Sequence, residues 1–404
     1  MTVTVSRTTT ETEPELDVPA TYKRHFGGGR ASVGQLLGGM VEVASSGAWI
    51  HVADGRRYLD FGGYGVFILG HRHPVVTAAV HRQLDLHPLA SRTFLEPVTA
   101  QAAAALAKTT PGDLDLVHFV NSGAEATEAA LKLARIHGRT SIITTRSGYH
   151  GKTLGALSVT ANPTYQDPFR PLLPDVTQVV FGDIAAMSWA LRTSHQKCVV
   201  ILEPVQGEGG VVVPPPGYLR EVADLCTEND ALLIVDEAHA VLGPEPAYDG
   251  VDVVRVSTLS KTLGTLGGFA AASQPIVDLL VNRARSYIFT TASTPADVAA
   301  ATAALTVVRS TEGDALRARL RANIDRIRPG HPSPVIPVVL GDERDAVAAS
   351  SALFERGLLV PAIRPPTVAP GTSRLRLALS AAHTPEQLDD LVAGLDACVP
   401  RWRD

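Results

Sequence analysis

Lys261 and Asp236 are the two residues of this chain whose type and setting most strongly suggest chemistry. Lys261 lies between a short apolar run and a glycine-rich turn in VSTLSKTLGTLGGFAAAS, which spans Val256–Ser273. Asp236 follows the apolar run Ala231–Val235, which has the pattern of a buried strand. A lysine on a turn can form a Schiff base, and an acid at a strand end can pair with a pyridinium nitrogen. The pair predicts pyridoxal 5'-phosphate (PLP) as cofactor, with both side chains as catalytic residues.

Several small or hydroxyl-bearing residues are candidates for binding the cofactor phosphate. In FVNSGAEATEAALKLAR an apolar run meets a helix pattern, so free N–H groups and the positive end of the helix dipole would lie at Ser-Gly-Ala. Taken alone, the serine would be interpreted as a helix N-cap and the threonines as ordinary residues. Beside the lysine and the aspartate, the phosphate interpretation is favoured for the serine, and both interpretations stay open for the threonines. The candidates are Ser122, Gly123, Ala124, Thr258, Thr290 and Thr291.

Four residues are candidates for contacting the cofactor ring. Tyr149 and His150 lie in the glycine-flanked turn SGYHGKTLGALSVT, where an aromatic face could stack on the pyridine ring. In DEAHA, the small Ala238 would let the strand end approach one face of the ring. His239, the third catalytic candidate, could hydrogen-bond the phenolic oxygen of the ring and tune the imine. The alternatives are a core tyrosine and histidines bonded to the backbone.

Charged residues near predicted strand ends are further candidates: Glu208 for binding the cofactor and Arg364 for binding the substrate. Glu208 follows the buried-strand pattern of ILEPVQGEGG, so it either faces the site or is a solvated loop acid. Arg364 lies between an apolar strand and two prolines, where its two-pronged guanidinium would suit an amino-acid carboxylate. Arg374 and Arg376 alternate with leucines in RLRL, which we interpret partly as the polar face of an edge strand.

Composition restricts the class of protein and its partners. The chain has 404 residues, 45% of them hydrophobic, so it can bury a large core in more than one layer or domain. A formal net charge of −5 without a basic stripe argues against nucleic acid, and no apolar run approaches the length of a membrane span. Three separated cysteines and a polar N-terminus without a signal core predict a cytoplasmic protein. No metal site is predicted.

Alternating patterns along the chain predict an α/β fold with a mainly parallel central sheet. Residues 1–20 are polar and predict a disordered tail, and residues 21–60 contain a hairpin pattern around Asp54-Gly55. From 61 to 310, helical stretches alternate with short apolar runs, which indicates a large PLP-binding domain wrapped by helices. A long helix over roughly Pro295–Arg328 is expected to lead into a small C-terminal α+β domain at 311–404.

Longer motifs resemble two branches of the fold-type I PLP-dependent enzymes. From about Gly34 to Asp236 the chain resembles class III aminotransferases, through YLDFGGYGVFILGHRHP, NSGAEATEAALKLAR, GYHGKTLGALS and EPVQGEGG. From Asp236 onward it resembles the α-oxoamine synthases, which include aminooxononanoate synthase. The motifs of that half are DEAHA, STLSKTLGTLGGF, RSYIFTTASTPA and AIRPPTVAPGTSRLRLALSAAHT. The resemblance covers nearly the whole chain after the polar tail.

The resemblance implies roles around the cofactor ring. It implies Lys261 as the Schiff-base lysine, Asp236 on the ring nitrogen and His239 on the phenolic oxygen. Tyr149 matches the stacking aromatic residue of the class III pattern. The synthases stack a histidine instead, which makes His150 a rival for that position.

The resemblance also implies a homodimer whose active sites are shared between subunits, with Thr290 or Thr291 reaching the neighbour's phosphate site. Arg364 matches the synthase residue that holds the amino-acid carboxylate. Tyr64 is a second substrate candidate, although Gly62-Gly63 precede it where the synthases usually have an asparagine. The expected reaction is decarboxylative condensation of an amino acid with an acyl thioester on coenzyme A or a carrier protein. The alternative is an aminotransferase that moves an amino group between an amine or amino acid and a keto acid or aldehyde.

Overall fold

The computed structural model of the chain describes residues 16–26, 39–63, 68–91, 93–109, 114, 116–238, 251–273, 293–365 and 367–403. These residues form an α/β fold in which a seven-stranded sheet is accompanied by a four-stranded and a three-stranded sheet. The seven-stranded sheet carries most of the candidate site residues, and the three-stranded sheet carries the arginines near the C-terminus.

The seven-stranded sheet has the order β4-β10-β9-β8-β7-β5-β6. Its strands are β4 (Leu116–Val120), β5 (Ser141–Thr145), β6 (Val176–Val179), β7 (Cys198–Leu202), β8 (Leu232–Asp236), β9 (Val253–Thr258) and β10 (Gly268–Ala272). Neighbours from β6 through β9 pair in parallel, whereas β10 is antiparallel to both β9 and β4. The sheet is therefore mainly parallel, as predicted. The carboxyl ends of β5, β7, β8 and β9 lie at one edge, where ligands bind in sheets of this kind.

Both faces of the central sheet are buried. On β7, Val199 and Ile201 belong to one hydrophobic cluster, and Val200 and Leu202 belong to another. Successive side chains of a strand point to opposite faces, so a strand covered on both sides is continuously apolar. This explains why β7 appears in the sequence as an unbroken apolar run and not as an alternating one.

Helices accompany the strands and include short ones near the site. They are α1 (Val18–His25), α2 (Pro74–Leu86), α3 (Pro97–Ala107), α4 (Gly123–Ile136), α5 (Leu154–Val159), α6 (Pro163–Gln166), α7 (Ile184–Thr193), α8 (Tyr218–Glu228), α9 (Pro295–Val308), α10 (Thr311–Ile327), α11 (Glu343–Glu355) and α12 (Pro385–Cys398). A 3₁₀ turn at Asp167–Phe169 follows α6. Within the described ranges, no helix is both long enough and apolar enough to cross a membrane.

The single long helix expected over roughly Pro295–Arg328 is wrong, because the chain breaks into α9 and α10. Ser310 lies at the break, where its hydroxyl donates to the carbonyl of Val307 at 2.7 Å and accepts from Gly313 N–H. A serine that ends one helix and caps the next supplies partners to backbone groups that a helix end leaves unpaired.

The C-terminal region is built on the three-stranded sheet β11-β14-β13, formed by β11 (Val335–Gly341), β13 (Ala362–Ile363) and β14 (Ser373–Ala378). Because β14 pairs with β11 on one side and β13 on the other, the edge-strand interpretation of RLRL is wrong. Leu375 and Leu377 are fully buried in the hydrophobic cluster of this region, so Arg374 and Arg376 face the other side of the sheet.

The N-terminal strands join the C-terminal region. The four-stranded sheet has the order β1-β2-β3-β12, with β1 (Glu42–Ser46), β2 (Trp49–Val52), β3 (Arg57–Asp60) and β12 (Leu358–Leu359). Strand β3 pairs in parallel with β12, which is far away in the sequence. One hydrophobic cluster contains Leu59 and Phe61 together with Leu353 and Leu395. Residues 42–60 therefore pack with the C-terminal part and do not form a separate unit.

Candidate active site

Asp236 and His150 form a buried hydrogen bond beside the carboxyl ends of two parallel strands. Asp236 ends β8, and His150 lies in the turn after β5. Nδ1 of His150 lies 2.9 Å from Oδ2 of Asp236, and both side chains are buried. The backbone N–H of His150 donates to Thr160 Oγ1 at 2.9 Å, and its backbone carbonyl accepts from Thr127 Oγ1 at 3.0 Å. These two bonds fix the backbone of the turn and thereby hold the imidazole against the Asp236 carboxylate.

The surroundings of Asp236 favour its ionised form. Burial favours the neutral acid, but the hydrogen bond from His150, the N–H of Ala238 and the charge of Lys261 together hold the pKa of Asp236 below its ordinary value. The Ala238 N–H lies 3.1 Å from Oδ1 of Asp236, so each carboxylate oxygen has a donor. A buried negative charge at the end of a strand is what a protonated ring nitrogen needs as a partner.

Lys261 lies in the turn between β9 and β10. The Leu259 N–H donates to the Gly267 carbonyl at 2.9 Å, and the Thr265 N–H donates to the Leu259 carbonyl at 3.2 Å. Gly267 has a φ of +128°, which a residue with a Cβ rarely adopts, so the closed turn depends on glycine. Burial lowers the pKa of Lys261, although the negative charge of Asp236 opposes the shift. The neutral amine, which is the nucleophilic form, is therefore favoured more than in a solvated lysine.

The first turn of α4 lies against the end of β9. Ser122 is the N-cap, and its hydroxyl accepts from Glu125 N–H at 3.2 Å. A Cβ added to Gly123 would lie 3.3 Å from the Cβ of Thr258, so glycine lets these two elements approach closely. The structure thus brings together four of the predicted phosphate residues, Ser122, Gly123, Ala124 and Thr258. A helix N-terminus lined by small and hydroxyl residues suits a phosphate group.

Tyr149 is fixed by its backbone, while its side chain lines an adjoining groove. Its N–H donates to Oε2 of Glu203 at 2.9 Å, and the other oxygen of Glu203 accepts from Gly207 N–H at 3.1 Å. Burial raises the pKa of the Tyr149 hydroxyl, and the negative charge of Glu208 adds to that effect. The two adjacent rings lie on different sides of the turn, since His150 hydrogen-bonds Asp236 and Tyr149 lines the groove.

Lys261 lines an open cavity between the central sheet and the three-stranded sheet. Glu208, Arg374 and Arg376 line this cavity together with Lys261. Nη1 of Arg376 lies 3.9 Å from Oε1 of Glu208, and both side chains are at least partly buried. The cavity therefore has an amine, a carboxylate and two guanidinium groups on its walls.

Of the other predicted substrate and cofactor residues, the structure describes Arg364. Arg364 is half-exposed and forms an ion pair with Glu343 on α11, and it does not line the cavity that contains Lys261. This placement favours Arg374 and Arg376 as the arginines of the site. The remaining candidates, Tyr64, His239, Thr290 and Thr291, lie outside the described residues.

The structure adds residues to the site that the sequence interpretation missed. Glu203 is almost completely buried and joins the turn after β5 to the loop after β7. Its position directly after an unbroken apolar strand was a usable signal, because a carboxylate there is rarely left in solvent. Arg374 and Arg376 were interpreted as the polar face of an edge strand, because an alternating pattern does not indicate whether a strand lies at the edge or in the middle of a sheet.

Comparison with known proteins identifies the class to which this fold and site belong. Ornithine aminotransferase from Toxoplasma gondii is similar, with 26% identity, a TM-score of 0.74 and coverage of 90% of this chain and 91% of that chain. An (S)-enantioselective ω-transaminase from Thermomicrobium roseum has 24% identity, a TM-score of 0.74 and coverage of 98% and 97%. Serine palmitoyltransferase from Sphingomonas wittichii has 21% identity, a TM-score of 0.72 and coverage of 96% and 99%. The last two, below 25% identity, support the fold alone.

The fold is that of a fold-type I PLP-dependent transferase, and the protein is an enzyme of this class. The sequence model described as aminotransferase class-III matches residues 33–314, well over half of the chain. The chain therefore belongs to the class-III aminotransferases, and its cofactor is pyridoxal phosphate. The side chains fit this cofactor, because Lys261 lines an open cavity and interacts electrostatically with the ionised, buried Asp236, and a helix N-terminus lies against Thr258.

Proposed function

We propose that this enzyme is an aminotransferase that moves an amino group between an amine or amino acid and a keto acid or aldehyde. The observation that carries the proposal is the class-III match over residues 33–314, because that range contains both Lys261 and Asp236. The match crosses the point where the motifs begin to resemble the α-oxoamine synthases. It thus favours amino transfer over condensation with an acyl thioester.

The described residues provide a binding site for each part of the cofactor. Asp236, fixed by His150, would bind the ring nitrogen, and Tyr149 would cover one face of the ring. The first turn of α4 and Thr258 would bind the phosphate. When bound, PLP supplies an electron sink for the electrons of the substrate bond that is broken.

Lys261 is the residue that moves protons. Its side chain is partly buried and its pKa is lowered, so the neutral amine would attach the cofactor and, once released from it, would accept a proton. A neutral amine close to the reacting carbon can take the proton from one atom and return it to another. Asp236 stays ionised through this transfer because donors occupy both of its oxygens.

Arg376 is the best candidate for binding the substrate carboxylate. It lines the same cavity as Lys261, and its guanidinium can form two parallel hydrogen bonds to a carboxylate. Glu208, 3.9 Å away, partly neutralises that charge. A substrate without a carboxylate would bind beside the intact Arg376–Glu208 pair. The carboxylate of an amino acid would instead compete with Glu208 for Arg376.

We further infer that the enzyme functions as a homodimer. Exposed apolar side chains follow α2, and among them Phe94 and Leu95 are 80% and 101% exposed. Adjacent apolar side chains with this exposure are candidates for burial at a subunit interface. Light scattering is expected to give twice the mass of the chain, and Leu95→Asp should shift the enzyme to a monomer that loses PLP. A fully active monomer would contradict the inference.

A half-reaction tests the reaction type. The holoenzyme is incubated with one amino donor at a time, without an acceptor, using α-amino acids, ω-amino acids and primary amines. Cofactor extracted from the denatured protein is then separated by chromatography. Stoichiometric conversion to pyridoxamine phosphate, reversed by a keto acid or aldehyde, is the expected result.

The matched experiment adds acyl thioesters of coenzyme A and of a carrier protein to the same mixtures. An aminotransferase should release no CO₂ from carboxyl-labelled amino acid in these mixtures. Thioester-dependent CO₂ with no pyridoxamine phosphate from any donor would overturn the proposal in favour of condensation.

A further inference from the structure

Gly63 lies between two cavities. It lines the cavity that contains Lys261, which we call the Lys261 cavity, and it also lines a smaller cavity behind it. Asp60 and His71 line the smaller cavity and not the larger one. Gly63 is therefore a thin wall between the space around Lys261 and a buried pair of polar side chains. Whatever fixes the position of Gly63 also fixes this side of the Lys261 cavity.

Asp60 has a hydrogen-bond partner on each of its carboxylate oxygens. Its Oδ1 accepts from the Gly62 N–H at 2.9 Å, and its Oδ2 lies 2.7 Å from Nε2 of His71. The Asp60 side chain is almost completely buried, and the His71 side chain is mostly buried. An ionised carboxylate only accepts hydrogen bonds, so the imidazole is the donor. His71 thus orients the carboxylate, and the carboxylate holds the backbone next to Gly63.

Backbone bonds already join the two segments that carry Asp60 and His71. The Asp60 N–H donates to the Ala48 carbonyl at 2.9 Å. Gly47 and His71 exchange two N–H to carbonyl bonds at 2.9 and 2.8 Å. Because Gly47 and Ala48 are adjacent, one short segment holds both residues by their backbones. The bond between the side chains is therefore not required to join these segments, and its further effect is to fix the carboxylate that binds Gly62.

The chain at Gly62 and Gly63 lies directly against its support. A Cβ added to Gly63 would lie 2.9 Å from Oδ2 of Asp60, and a Cβ added to Gly62 would lie 2.9 Å from Cδ of Pro361. Both distances are shorter than real Cβ contacts, so neither position has spare room on that side. A shift of the Asp60 carboxylate should therefore move Gly63, and a larger residue at position 63 should displace the carboxylate.

We propose that Asp60 and His71 are positioning residues that set the wall of the Lys261 cavity at Gly63 and thereby control how tightly substrate binds. They act through the Gly62 N–H and not by contact with the reacting atoms. Their loss should reduce affinity more than the rate of reaction, because Lys261 and Asp236 keep their own contacts. This inference rests on the proposed function only in taking the Lys261 cavity as the substrate site, and it is the same for either reaction type.

Hydrogen exchange measures the bond between Asp60 and Gly62 directly. His71→Gln keeps an amide N–H donor near the position of Nε2, whereas the shorter side chain in His71→Asn does not reach Asp60. In the PLP-loaded enzyme, mass spectrometry of peptides that differ by Gly62 should show about tenfold faster exchange of this amide in His71→Asn. His71→Gln should exchange near the wild-type rate. Equal exchange in all three enzymes would overturn the orienting role of His71.

Aminooxyacetate measures affinity and reactivity separately. It reacts with the lysine-bound carbon of PLP in aminotransferases and synthases alike, and cofactor absorbance reports the reaction. The dependence of the rate on its concentration gives an apparent Kd and a limiting rate. His71→Asn should raise this Kd about tenfold and keep the limiting rate within about threefold of wild type, while His71→Gln should restore the affinity. His195→Asn, which changes an exposed histidine, is the matched control.

Gly63→Ala tests the same support from the side of the wall. Its Cβ would displace Oδ2 of Asp60, so it should raise the Kd of aminooxyacetate as His71→Asn does. If both substitutions act through Asp60, the double variant should bind no more than about threefold more weakly than the weaker single variant. Independent effects would multiply instead. Multiplied effects, or an unchanged Kd in the folded Gly63→Ala enzyme, would overturn the inference.

The outcomes separate this inference from the proposed function. Thermal unfolding and bound PLP are measured for each variant, so that only folded holoenzymes are compared. A lower unfolding temperature in His71→Asn with an unchanged Kd would give the pair a purely structural role and overturn the inference. If His71→Asn does not fold, the Kd of Gly63→Ala decides. A failed half-reaction with an intact, His71-dependent affinity for aminooxyacetate would overturn the aminotransferase proposal alone.

Discussion

Nδ1 of His150 lies 2.9 Å from Oδ2 of Asp236, and this bond joins the turn after β5 to the end of β8 across the strand β7 between them. Both side chains are buried, so solvent competes little with the bond. The bond explains why a carboxyl group in the interior keeps a lowered pKa. Two adjacent residues therefore have different positions. The imidazole of His150 contacts Asp236, whereas the side chain of Tyr149 lines the groove beside the turn.

Replacing His150 should weaken PLP binding by raising the pKa of Asp236. In His150→Ala, burial of the carboxyl is no longer opposed by the imidazole, so the protonated acid becomes more stable. We expect PLP affinity to fall about tenfold at neutral pH, as for the loss of one hydrogen bond to a charged group. The measurement is a PLP titration followed by absorbance at several pH values.

The pH dependence is the specific signature of this effect. A carboxylate with a raised pKa loses its charge at a higher pH, so the acid-side loss of PLP affinity should move upward in His150→Ala. His150→Gln keeps an N–H donor and should show a smaller displacement. His195→Gln, on the exposed surface, is the control. An unchanged pH profile in His150→Ala would show that the histidine acts on the cofactor site by some other route.

Asp236→Asn should leave the fold intact and strip most of the activity. The amide is nearly the same size as the carboxyl but cannot stabilise a proton on the ring nitrogen by its charge. Turnover is expected to fall about a hundredfold or more, the range seen for lost electrostatic contacts at reacting centres. Steady-state kinetics at saturating PLP, with circular dichroism as the folding control, make the comparison. Turnover near the wild-type rate would rule out the proposed role.

Lys261→Ala should remove the covalent attachment of the cofactor and abolish turnover. Borohydride reduction fixes PLP irreversibly to a lysine that holds it, so mass spectrometry of the reduced enzyme reports the attachment directly. Wild-type enzyme should gain the mass of reduced cofactor on the peptide that contains Lys261. Lys197→Ala, which changes an exposed lysine paired with Asp230, should keep the label. Labelling of the Lys261→Ala enzyme at another lysine, with activity, would reject the assignment.

The sequence predicted the parts of the site that are defined by a single segment. Asp236 ends an apolar strand and Lys261 lies in a glycine-rich turn, and both settings can be recognised within about 15 residues. The first turn of α4 was predictable for the same reason, because Ser122 is followed by a strong helix pattern. Long motifs shared with known enzymes also indicated the fold.

Contacts between distant segments were not predictable in this way. The bond between His150 and Asp236 requires β5, β7 and β8 to lie side by side, which no local pattern specifies. The alternation of Arg374 and Arg376 with leucines correctly predicted that both arginines lie on one face of a strand. Only the pairing of β14 with both β11 and β13 places that face towards the cavity. The ion pair of Arg364 with Glu343 likewise depends on how α11 packs on the small sheet.

The last prediction concerns stability towards acid and depends on His383. Burial lowers the pKa of His383 from 6.5 to about 4, and its Nδ1 accepts the Ser380 N–H at 2.9 Å, so the folded protein holds the ring neutral. The unfolded chain takes up a proton near pH 6.5 and the folded protein does not. The free energy of unfolding therefore falls as the pH drops from about 6.5 to about 4, by roughly 3 kcal/mol from this residue. Thermal unfolding of His383→Gln should show a shallower decline over that range than His195→Gln, and equal slopes would contradict the assignment. Part of the decline should persist in His383→Gln, because burial also lowers the pKa of His118 to about 4.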